Sequence, residues 1–91
     1  MKRESAEDFA VSALAWLAEA DLIDAFLDTA GVDRADLRAA AGQPDFLAAV
    51  LEFVAQRDDW VVACCAAVDM PPERLSEARM ALPGGDLPHW T

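Results

Sequence analysis

The stretch Trp60–Leu75, "WVVACCAAVDMPPERL", places two adjacent cysteines in an apolar run and closes it with a proline pair. Its reading decides the fold. If Cys64 and Cys65 carry chemistry, a site lies at the apolar centre of the chain. If they fill space, the run is one helix of a bundle. Neighbouring positions on a helix point about 100° apart, so two adjacent thiols cannot both face one metal ion. Zinc takes about four ligands, with paired cysteines roughly two to four residues apart. The chain offers two cysteines and one histidine, and His89 lies beyond Gly84 and Gly85. A reactive thiol needs a positive, partly open setting. Here the neighbours are valine and alanine, and the nearest charges are Asp58, Asp59 and Asp69. The cysteines therefore read as small core hydrophobes. The run becomes a helix capped by Asp59, broken at Met70-Pro71-Pro72, and so apolar all round that it should be the most buried of the chain.

Upstream, the same helical period recurs. Ser5 with Asp8 three residues on looks like a capping box, and Phe9, Ala13, Trp16, Leu17 and Ala20 then form one face. Asp21 reads as the next N-cap, Ile23, Phe26, Leu27 and Ala30 as the buried stripe, and Gly31 as the stop. Asp33 opens a short helix through Leu37 and Ala40 to Gly42. Pro44 opens the fourth, whose stripe is Phe46, Leu47, Val50, Leu51 and Val54, with Phe53 on its flank. Downstream, Pro72 restarts the chain, and Leu75, Ala78 and Leu82 point inward before "PGGD" ends regular structure.

A shift of 38 residues lays Asp21 on Asp59, Phe26 on Cys64, Leu27 on Cys65, Leu37 on Leu75 and Ala40 on Ala78. Two copies are too few for a solenoid, which needs about three. The expectation is an all-α, compact orthogonal bundle of five to six short helices in two similar three-helix halves. Residues 1–85 would form one domain and 86–91 an extended tail.

Charge narrows the functions. Seventeen acids stand against seven bases, a formal net of −10. Phosphate backbones and anionic membrane surfaces repel such a chain, so neither direct nucleic-acid binding nor membrane binding is expected. The longest apolar run, Trp60–Val68, is nine residues, whereas a spanning helix needs about 20. "MKRESAEDF" turns acidic at once and does not read as a signal peptide, so a cytoplasmic location with reduced thiols is expected.

No catalytic, cofactor or metal-ligating set emerges, and no cofactor is expected. "PGGD" does not open a helix, so it is no phosphate loop. The candidates are partner-binding ones. In "DLPHWT", Leu87, His89 and Trp90 offer an apolar anchor, either folded back as a latch or set into a partner. Glu4 to Asp33 holds eight acids and no base, and Asp21, Asp24 and Asp28 are its candidate acidic face. That face is either a solvated surface, a docking site for a basic partner, or a mimic of nucleic-acid phosphates. Arg34 and Arg38, one turn apart, could meet the acids of a second copy, giving a monomer or weak homodimer. The main expectation is an interaction or adaptor module docking through the tail and the acidic face. The alternative from another class is a hydrolase or metal-dependent activity using His89 with carboxylates.

The segments "LAWLAEADL", "PDFLAAVLEFV", "PPERLSEARMALPGG" and "PHW" together resemble a family of small alphaproteobacterial proteins, domain of unknown function 3572. The resemblance runs over nearly the whole chain and implies a small all-helical bacterial protein with no assigned activity. Family members commonly read Gly-Leu-Pro-Pro before the last helix, where this chain reads "VDMPPE". Without that glycine the fifth helix is expected to end less sharply.

Overall fold

A computed structural model describes residues 1–82, and among them the chain forms helices and turns only. In order these are α1 (Arg3–Glu19), α2 (Ile23–Ala30), a 3-10 turn (Arg34–Asp36) running into α3 (Leu37–Ala40), α4 (Pro44–Val54), α5 (Asp58–Ala67) and α6 (Glu73–Ala81). The described residues form an all-α bundle of six helices, as their periodicity requires. The tail candidates Leu87, His89 and Trp90, and the boundary at residue 85, lie outside the described residues.

Several helix starts differ from the sequence reading. Helix α1 begins three residues early: Ala6 donates its N–H to the Lys2 carbonyl at 2.9 Å, which draws Ser5 into the first turn. A serine cap needs extended backbone at the cap position, and here Lys2 has it. Asp21 is not the N-cap of α2. Its φ is 63°, and Leu22 donates to the Leu17 carbonyl at 2.8 Å, so Asp21 is the left-handed residue that closes α1. Asp59 likewise falls inside the first turn of α5, with Arg57 at the cap position. Pro44 does open α4, and Gly31 closes α2 with φ 71°.

Helix α4, not α5, forms the centre of the core. It packs against α1, α2, α5 and α6, and buries Phe46, Leu47, Ala48, Val50, Leu51, Phe53 and Val54. Helix α5 buries Cys64 and Cys65 and leaves Val62, Ala63, Ala66 and Ala67 exposed; Val62 is 60% open. Being apolar all round did not bury this helix because α5 lies at the edge of the bundle, where only one of its faces meets other elements.

Around α4 the aromatic rings interlock. Phe26 meets Phe46 and Phe53 edge-on, each with ring centres 5.3 Å apart, and Phe53 stacks on Trp60 at 5.0 Å. Such pairs add about 0.5–1.5 kcal/mol each beyond the area they bury. Among the described residues no polar or charged side chain is buried, so this core carries no desolvated group seeking a partner.

Helix α5 ends sharply despite its missing glycine. Asp69 takes φ 59°, and Met70 donates to the Cys65 carbonyl at 2.9 Å. Aspartate is one of the few side chains that tolerate this conformation. The two halves share that turn but not their packing. Leu75 and Ala78 of α6 are buried against the bundle, whereas the equivalent α3 contributes no buried residue.

Candidate functional site

The acidic face is built by α2. Ile23, Phe26 and Leu27 turn inward, which leaves Asp24 and Asp28 on the opposite side in water, with Asp21 exposed at the α1–α2 junction. The three acids are near in sequence but not equivalent. Asp24 accepts a bond from Arg34 Nη2 at 2.6 Å, so one of the three charges is neutralised within the chain. That pairing also occupies Arg34, one of the two arginines expected to reach a second copy.

Cys64 and Cys65 are both fully buried free thiols. Burial, and then the adjacent Cys65, push the Cys64 thiol from 9.0 up to about 11. The Cys65 thiol is also raised, by burial and then by Glu73. Both stay protonated at neutral pH and inert as nucleophiles, because the thiolate is the reactive form. Among the described residues no three His, Cys, Asp or Glu side chains gather in a way that could hold a metal ion.

The sequence reading missed a furrow between α1 and the end of α5. One lobe, about 240 Å³, is lined by Ser5, Asp8, Phe9, Ser12, Val68 and Met70. The next, about 260 Å³, is lined by Ser12, Ala15, Trp16, Glu19, Ala67 and Val68. Ser12 and Val68 belong to both, so the lobes form one channel along α1. Its cause is local. The left-handed turn at Asp69 ends α5 where Val68 and Met70 stand beside α1, and the short side chains of Ser12 and Ala15 leave the gap unfilled. The signal that could have found it is the surplus of apolar residues on α5, which reads in the sequence as deep burial and instead leaves an unpartnered face.

Residues 3–85 match a family model described as "Protein of unknown function (DUF3572)". The chain belongs to the DUF3572 family. No curated protein and no solved structure matches it.

The DUF3572 match takes in all six helices and both walls of the furrow. Electrostatics separate that furrow from the rest of the surface. Five of the seven basic residues are held in ion pairs within the chain: Arg3 with Glu7, Arg34 with Asp24, Arg57 with Asp59, Arg74 with Glu77 and Arg79 with Glu52. Arg57 also lies 5.2 Å from the Trp60 ring centre. Its hydrogen bonds hold the Asp59 carboxyl below the usual carboxylate range. Among the described residues no basic side chain lines either lobe of the furrow, while Asp8 and Glu19 do. No helix among the described residues of this DUF3572 protein is long and apolar enough to cross a membrane.

Proposed function

We propose that this DUF3572 protein is an interaction module that recruits a basic protein partner. The supporting observation is the distribution of charge: the formal net is −10, and five of the seven basic side chains are already paired internally. The surface left to a partner is therefore carboxylate-rich. Asp21 and Asp28 on the α2 side steer a cationic surface inward, and an apolar anchor from Leu87, His89 and Trp90 adds affinity. Steering of this kind acts mainly on the association rate and weakens with salt.

The module works in the cytoplasm, where buried thiols stay reduced. It acts as a monomer or weak homodimer, since two such charged copies repel. Affinity capture from the native host tests the reading. A partner retained by the wild type should be lost with Asp21→Lys, Asp24→Lys and Asp28→Lys combined, with Trp90→Ala, and in about 0.5 M salt. A partner indifferent to all three changes would defeat it. Capture of DNA-binding proteins alone would instead assign the surface to mimicry of nucleic-acid phosphates.

A further inference from the structure

We infer that the furrow between α1 and the end of α5 seats one amphipathic helix of a partner protein, apolar side down and Lys or Arg at its flanks. The inference rests on the interaction reading above but names a different seat from the α2 acids.

The floor of the furrow is apolar on both walls. Phe9 and Trp16 stand seven residues apart on α1, two turns along one side, and Val68 and Met70 face them from the end of α5. Trp16 is half-buried, with one side on the core and the other on the channel. Beside it the outer face of α5 carries Ala63, Ala66 and Ala67, all exposed. Side chains this small let a second helix axis approach to about 8 Å.

Charge selects the occupant. Asp8 and Glu19 stand eleven residues apart on α1, about 16 Å at 1.5 Å per residue. An incoming helix with basic residues about three turns apart would meet both, with its apolar stripe between them on Trp16 and Val68. Ser5 and Ser12 add hydroxyl acceptors along the same side. A second copy of this chain would bring another net charge of −10 against these carboxylates. The chain's own "DLPHWT" would bring Asp86 against them and offers a single titratable cation, His89. A basic helix is the occupant that the rim attracts.

The test is an NMR titration of the full chain with a synthetic leucine–lysine amphipathic peptide of about 18 residues, five helical turns. A control peptide carries glutamate at every lysine. The lysine peptide should shift the resonances of Ser12, Trp16, Val68 and Met70, and the control should shift none. Ala67→Arg, and separately Asp8→Lys with Glu19→Lys, should each weaken binding about tenfold, whereas Asp36→Lys with Asp45→Lys should change it by less than about twofold. All five positions are exposed, so the fold survives these changes. Shifts centred on Asp21, Asp24 and Asp28 would overturn the seat while leaving the interaction reading intact. Absence of binding by the lysine peptide overturns the inference, and only the capture experiment then decides the broader reading. Contacts from the Trp90 indole to Val68 and Met70 in the free protein would also overturn it, by assigning the furrow to the chain's own tail.

Discussion

Gly31 and Asp69 stand 38 residues apart and hold the same left-handed backbone, φ 71° and 59°. Each ends its helix in one way, with the next residue's N–H donating to the carbonyl five residues earlier: Val32 to Leu27 at 3.1 Å and Met70 to Cys65 at 2.9 Å. The two positions should respond in opposite directions to substitution. Asp69→Gly removes a side chain from a conformation that disfavours one, and should stabilise by about 0.5–1 kcal/mol. Gly31→Ala should destabilise by about 1 kcal/mol through the backbone alone, since nothing lies within 4 Å of an added Cβ. Thermal melts check both, at about 4–8 °C per kcal/mol for a domain of this size.

The buried thiols predict an alkaline weakness. Burial raises the Cys64 thiol above its unfolded value, so its contribution is complete below pH 9.0 and is lost as pH rises through about 11. The melting temperature of the wild type should fall more steeply across that interval than that of Cys64→Ala, compared at the same pH values. At pH 8 a thiol reagent should label Cys64 and Cys65 only as fast as the native protein opens. Rapid labelling of the unheated protein would contradict their place in the core.

Phe26 joins the two halves of the core, since it touches Phe46 and Phe53 of α4 at once. Phe26→Ala should cost about 3–5 kcal/mol, much of the stability a domain this small can have. Val62→Ala, on the open face of α5, should change stability by less than about 0.5 kcal/mol. Urea unfolding of the two variants measures the contrast.

The ion pairs should differ in weight. Arg79 meets both oxygens of Glu52 at 2.8–3.0 Å and ties α6 to α4 across 27 residues of chain. A double-mutant cycle on this pair should return about 0.5 kcal/mol, reduced by salt. The Arg34–Asp24 contact is more exposed and single, and the same cycle there should return nothing measurable.

The helical class, the number of helices and most of the core were legible because period and proline placement act locally. Phe9, Leu17, Phe26, Leu47, Leu51 and Leu75 all occupy the positions their spacing assigned. Helix starts were less legible. Ser5, Asp21 and Asp59 are all good capping residues, yet they lie three, one and two residues from the cap positions of their helices, Lys2, Leu22 and Arg57. Capping contributes only about 1 kcal/mol, and packing of the adjoining turns can override it. The acidic face on α2 was legible; the pairing of Asp24 by Arg34, ten residues on, was not, because it depends on the path of the chain after Gly31.

By itself the sequence determined that this chain forms helices with one oily side each, that its thiols sit among small apolar neighbours, and that its surface is acidic. These properties belong to residues a few positions apart. Only the tertiary structure decided that α4 is central while α5 lies at the edge, and that α1 and α5 leave a furrow open between them. A helix can be buried only as far as other elements surround it, and no local pattern records how many do.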